Sequence, residues 1–188
     1  MTVLYSIVTI GQSNMVGSFP FIDEIMEEYR VVNCAKGGTN SEEWQKGGTW
    51  YTRCMRRINN GERPVAAIFH FQGEGNTASP KLSAQYLDDT KQLLIDLRQD
   101  ISYYNATHGG QPGPVPIIFA QIGPYPNDFE RQFWYYIQNQ QAKLPSKLPD
   151  THMITTSDLP YCYAPHFCAE GYEMIAERFV NKFLEVHP

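Results

Sequence analysis

The chain has 188 residues, 42% hydrophobic and 13% aromatic, with a formal net charge of −5 at neutral pH. That length and composition suit a single domain, residues 1–188, with a buried core, and exclude a disordered polymer. Scattered Lys and Arg on an acidic chain exclude a basic nucleic-acid footprint, and no run approaches the ~18 apolar residues of a membrane span, so neither nucleic acid nor membrane is an expected partner.

Val3–Ile10 is a near-continuous β-rich run. It has no basic start and no cleavage site, so it reads as a first strand rather than a signal peptide; the cytoplasm is the default expectation, with a chain trimmed of its leader as the alternative. A loop and a short helix around Pro20–Tyr29 follow, then a second strand over Arg30–Ala35, broken by Lys36-Gly37-Gly38-Thr39. Trp50–Ile58 reads as helix until Asn59-Asn60-Gly61 stops it, and Pro64 opens a third strand, Val65–Phe71. Ser79-Pro80 is a helix start, and Leu82, Tyr86, Leu93, Leu94, Leu97 and Ile101 recur at helical spacing behind it. Val115–Gln121 is a fourth strand, Asp128–Lys143 a helix, Met153–Thr156 a short fifth strand and Glu170–Val186 a final amphipathic helix.

Short apolar strands alternating with helices predict a parallel sheet covered on both faces: a three-layer α/β/α sandwich around a central, mainly parallel five-stranded sheet. The carboxyl ends of such strands share one rim, where polar tails converge. Those tails are Gly11-Gln12-Ser13-Asn14, Lys36-Gly37-Gly38-Thr39, Gln72-Gly73-Glu74-Gly75-Asn76 and the segment from Asp158 to His166.

A serine after a strand is either a helix cap or a nucleophile. A nucleophile needs a base and donors aimed at the developing oxyanion. The four tails supply the Ser13 hydroxyl, glycine amides, the Gln72 side-chain amide and the His166 imidazole, so Ser13 and His166 are the candidate pair. His70 lies inside the third strand and reads as a core residue, His108 and His187 as exposed ones, and His152 precedes a strand. Trp44, Trp50, Tyr125, Tyr161 and Tyr163 lie near the rim and are candidates for stacking on a sugar face, or for core and loop anchors. The cysteines, 34, 54, 162 and 168, have no zinc spacing; reduced thiols are expected, with a Cys162–Cys168 disulfide as the alternative. A phosphate cradle over Gly11–Gly17 is disfavoured, because neither Gly-x-Gly-x-x-Gly nor Gly-Lys-Ser/Thr is present.

Gly11-Gln12-Ser13-Asn14-Met15, Gly37-Gly38, Gln72-Gly73-Glu74 and His166-Phe167 before Gly171-Tyr172, in that order, resemble the SGNH-type hydrolases, and among them the sialate O-acetylesterase-like and acetylxylan-esterase-like carbohydrate esterases. The resemblance implies a flavodoxin-like SGNH hydrolase fold and removal of acetyl groups from O-acetylated sugars, with no metal and no organic cofactor. It implies Ser13 as nucleophile, His166 as base, and an oxyanion hole from the Ser13 amide, a Gly37 or Gly38 amide and the Gln72 side chain. Gln12, Asn14 and Glu74 are expected as supporting residues, Glu74 bracing its loop. The chain departs from the family in one place: the Asp usually found three residues before the histidine is Tyr163 here. Either Asp158 reaches His166 from upstream, or the site is a Ser-His dyad. A catalytically silent sugar-binding or structural module on the same scaffold is the rival reading, and the oligomeric state stays open.

Overall fold

The first apolar run forms β1, Ser6–Gly11, buried along its whole length. The computed structural model describes residues 4–124 and 133–187, so Val3 lies outside the described residues. β2 (Arg30–Asn33), β3 (Val65–Phe71), β4 (Ile117–Ala120) and β5 (Thr151–Ile154) complete one sheet in the order β2-β1-β3-β4-β5. Every pairing in it is parallel, as the alternation of strands and helices predicts.

Side chains alternate across this sheet and feed two cores. Ile7, Phe69, Phe71, Ile118 and Ala120 pack on one face with α1 (Ser13–Ile25) and α5 (Ala169–Val186), joined by Trp134 and Ile137 of α4 (Trp134–Lys147). Val8, Ile10, Ile68 and Ile117 pack on the other with α2 (Thr49–Asn59) and α3 (Pro80–Thr107). Both faces are covered, which is why the strands read as apolar runs rather than as alternating ones.

Some boundaries move. The loop expected after β1 does not exist: α1 starts at Ser13 and carries Pro20 in its interior. Burial of Met15 and Ile22 against α5 outweighs the local cost of that proline. α3 starts where the Ser79-Pro80 signal places it, with the Ser79 hydroxyl accepting from the Leu82 amide at 3.2 Å, and it runs on to Thr107. The start expected for α4, Asp128, lies outside the described residues, as does Tyr125. The sequence pattern also misses two 3-10 turns, Ser41–Trp44 and Glu74–Ala78, and a two-stranded antiparallel hairpin, β6 (Tyr161–Tyr163) with β7 (His166–Phe167).

The expectation of reduced thiols is corrected. Cys34, just past β2, is disulfide-bonded to Cys54 of α2, and Cys162 to Cys168 across the β6–β7 hairpin. Folding brings the Cα atoms to 5.1 Å and 4.8 Å, within bridging range. For the first pair this proximity comes from the packing of α2 on the sheet, which sequence spacing does not encode.

Candidate active site

The corner between β1 and α1 is built by close backbone approach. A methyl group on Gly11 (φ +143°) would stand 2.0 Å from the Phe71 carbonyl oxygen, so only glycine lets β1 leave the sheet this near to β3. The Gln12 amide donates to that same carbonyl at 3.0 Å. Gln12, not Ser13, occupies the N-cap position; its side-chain oxygen accepts from the Gly75 amide at 3.1 Å and ties the corner to the tail of β3. Ser13 is therefore the first residue of α1, relieved of capping, with its hydroxyl half-buried.

The Ser13 hydroxyl lies 3.0 Å from His166 Nε2, across 153 positions of sequence. His166 is half-buried at the start of β7. The turn before it is fastened by Asn14, a fully buried residue whose Nδ2 donates to the Pro165 carbonyl at 3.0 Å and to Glu74 Oε1 at 2.5 Å. Asn14 Oδ1 in turn accepts from the Tyr172 hydroxyl of α5 at 3.0 Å. Glu74 is 1% exposed, and burial raises the pKa of the Tyr172 phenol beside this network. Tyr172 is accommodated because residue 17 is glycine: a methyl there would sit 2.4 Å from its ring.

Loop 36–39 passes over Ser13. The Lys36 amide donates to the Gly11 carbonyl at 2.8 Å, and a methyl on Gly37 would lie 3.7 Å from the Ser13 Cβ. Gly38 adopts φ +76° and faces open space. The loop is held from below by the Trp44 indole, which donates to Thr39 Oγ1 at 2.9 Å. Trp44 is fully buried, which removes it from the sugar-stacking candidates. Trp50 is half-buried, with Lys36 at 5.4 Å and Arg53 at 5.7 Å from its ring centre. Tyr163 is 77% exposed, and the half-buried Tyr161 donates to the Pro124 carbonyl at 2.8 Å.

On β3, His70 is sealed in the core, where burial pushes its imidazole down to about 4 and keeps it neutral. Gln72 is fully buried, and among the described residues neither atom of its side-chain amide has a hydrogen-bond partner. Its backbone carbonyl accepts from the Tyr86 hydroxyl at 3.0 Å and from Gln141 Nε2 at 2.9 Å, fixing the turn at Gly73 (φ +153°).

Asp158 does not support His166. Its two oxygens accept from Arg178 of α5 at 2.7 Å and 2.6 Å, and this pairing holds its carboxyl down at about 2. Among the described residues, Ser13 is the hydrogen-bond partner of the His166 ring. The site thus joins Ser13, His166, Gly37, Gln72, Gln12, Asn14 and Glu74 at one rim and leaves Asp158 outside. Sequence reasoning missed the Tyr172 and Pro165 contacts of Asn14, which carry no signal in spacing. The flanking of His166 by Cys162 and Cys168 is the sequence signal for their bridge.

Comparison with known proteins identifies the family and the fold. The family model for "Carbohydrate esterase, sialic acid-specific acetylesterase" matches residues 21–185, a span that contains Gly37, Gln72 and His166 and begins after Ser13. A protein of Arabidopsis thaliana named a probable carbohydrate esterase is 28% identical over 155 residues, covering 73% of this chain and 56% of that protein. The chain thus spans a little over half the length of this curated relative. The crystal structure of the Arabidopsis protein superposes with a TM-score of 0.72 at 20% identity, covering 89% of this chain and 66% of that one. A carbohydrate acetylesterase from Xanthomonas citri gives 0.63 at 13% identity over 93% of this chain and 55% of its own. A member of the lipolytic G-D-S-L family from Veillonella parvula gives 0.69 at 12% identity, covering 96% and 98%. The fold is that of the SGNH hydrolases, and the chain belongs to the carbohydrate esterase family of sialic acid-specific acetylesterases.

Proposed function

We propose that this chain is a serine esterase that removes acetyl groups from O-acetylated carbohydrates of the sialic acid or xylan type through an acyl-enzyme. The observation that carries the reading is the 3.0 Å approach of the Ser13 hydroxyl to His166 Nε2 beside a glycine loop. In the first half-reaction His166 takes the Ser13 proton as the oxygen attacks the acetyl carbon. The Ser13 amide, an amide of Gly37 or Gly38 and the Gln72 side chain receive the oxyanion, each well-placed donor being worth ~3–4 kcal/mol. His166 then protonates the departing sugar oxygen. In the second half-reaction it activates the water that releases acetate and restores Ser13.

Gln72 is consistent with this reading: its side-chain amide is buried beneath the rim and has no partner among the described residues. A buried amide with no internal partner costs ~1–3 kcal/mol, and an arriving oxyanion would remove that cost. Trp50, flanked by two cations beside the Lys36–Thr39 loop, offers an aromatic face for a sugar ring. With Asp158 engaged by Arg178, the mechanism runs on a dyad.

The test is p-nitrophenyl acetate turnover. Ser13→Ala and His166→Ala should each lose at least ~10³-fold in kcat; equal rates in wild type and Ser13→Ala overturn the reading. A panel of acetylated xylan and acetylated sialic acid then assigns the sugar. Tyr163 at the usual acid position favours a second reading, a silent sugar-binding module. That reading predicts sugar binding without hydrolysis, unchanged by Ser13→Ala.

A further inference from the structure

His166 sits in a position that a base does not hold unaided. An imidazole on a surface hairpin samples several rotamers, and each rotamer other than the one facing Ser13 lowers the productive fraction. In a triad the carboxylate behind the ring selects the orientation. Here Asp158, the nearest acid upstream, is held by Arg178 in a two-point ion pair, and residue 163, opposite His166 in the hairpin register, is an exposed tyrosine.

The hairpin has a different device. Tyr161 pairs with Phe167 and Tyr163 with His166, and Cys162 is bonded to Cys168 between these rungs and the start of α5. The bridge closes a loop of few residues that contains His166. One side of that loop is seated in the core by Phe167, which packs on Tyr161 at 4.8 Å between ring centres. The other side is seated by the bond from Asn14 to the Pro165 carbonyl. Asn14 follows Ser13 directly, so nucleophile and base loop share one anchor. With only two short strands in the hairpin, backbone pairing alone is marginal in water. A cross-link that removes the open conformations of such a loop supplies the missing order.

We propose that the Cys162–Cys168 disulfide is the positioning element of this active site: it holds the His166 imidazole toward Ser13 in place of an orienting carboxylate. This rests on the esterase reading above. Two consequences separate it from a bridge that merely stabilises the fold. First, opening the bridge should lower kcat and leave KM and global stability nearly unchanged, because the hairpin lies outside the main sheet. Second, an aspartate at position 163 stands opposite His166 in the hairpin, so it should compensate for the lost bridge.

The experiment compares wild type, Ser13→Ala, Cys162→Ser/Cys168→Ser, and that double variant with Tyr163→Asp, all on p-nitrophenyl acetate, with thermal unfolding of each. The expected result is a fall in kcat of about tenfold or more in the double variant at a KM within about twofold of wild type, and recovery of most of that loss on adding Tyr163→Asp. Wild-type protein treated with a mild dithiol provides a second route that needs no variant to fold. Cys162 is exposed while Cys34 and Cys54 are buried, so thiol–disulfide exchange opens the hairpin bridge first: the dithiol is oxidised to its disulfide and Cys162 and Cys168 become thiols. Alkylation and peptide mapping identify which bridge opened, and activity should fall with the hairpin bridge alone. If kcat stays within about twofold after either treatment, or if Tyr163→Asp restores nothing, the positioning role is overturned while the esterase reading stands. If wild type and Ser13→Ala turn over equally, the esterase reading itself fails and this inference with it.

Discussion

Asp158 shows how a plausible catalytic acid is settled by its partner. Its carboxylate faces Arg178 with both oxygens, and Arg178 also donates to the Thr155 carbonyl at 2.6 Å, so the pair fastens the end of β5 to α5. Asp158→Asn should leave kcat on p-nitrophenyl acetate within about twofold of wild type. The side chain is 59% exposed, so the pair contributes no more than the ~0.2–1 kcal/mol of a surface ion pair. Its folded pKa is depressed from 3.8 to about 2, so the contribution is whole above about pH 4.5 and disappears as pH falls through about 2. The difference in melting temperature between wild type and Asp158→Asn should accordingly shrink between pH 5 and pH 2. Gln72 is the opposite case, a buried side chain with no hydrogen-bond partner among the described residues. Gln72→Ala should lower kcat by ~10²–10³-fold with little loss of stability, since no protein group loses a side-chain partner among the described residues. A large loss of stability with unchanged kcat would assign Gln72 to packing alone.

At the scale of elements, the glycines of the rim are fixed by contact distances. Gly11→Ala places a methyl group inside the van der Waals shell of the Phe71 carbonyl at a φ that side chains rarely adopt. The β1–β3 pair must separate to admit it, and β1 is the central support of Ser13. A loss of more than about 3 kcal/mol is expected in denaturant unfolding, a large share of a typical domain's stability. The elements that were legible in sequence are those whose local chemistry and packing agree. β3 has the residues expected for it because Pro64 and the Gln72-Gly73 turn bound an apolar run. α3 begins at its serine cap because cap, proline and apolar spacing coincide. α1 begins well before Pro20, because the buried stripe of Asn14, Met15, Ser18 and Ile22 outweighs the loop-like polar residues after β1. The β6–β7 hairpin was illegible because its order comes from a short-range disulfide, the seating of Phe167 in the core and a bond from Asn14, 151 residues upstream, none of which the strand pattern encodes. The same division runs through the site. The positions of Ser13, Gly37 and Gln72 after strand ends were readable, while the bond from Asn14 to the turn before His166 required the folded molecule.

At the scale of the whole molecule, the site joins the two ends of the chain. Ser13 stands at the exit of the first strand and His166 just before the last helix, and α1 and α5 pack together on one face of the sheet. Assembly of the Ser13–His166 pair therefore depends on both the main fold and the peripheral hairpin. Trp44 and Trp134 are fully buried and report on the main fold through their fluorescence. In the disulfide-bonded protein the hairpin should open only when the sheet does, so urea should abolish esterase activity and shift fluorescence over the same range. In Cys162→Ser/Cys168→Ser the hairpin becomes a separate low-stability unit. Activity should then be lost at a urea concentration distinctly below the fluorescence transition, while the fluorescence midpoint itself moves little. Coincident transitions in both proteins would mean that the hairpin is held by the core through Phe167 and Asn14 alone, with the bridge adding nothing to its persistence.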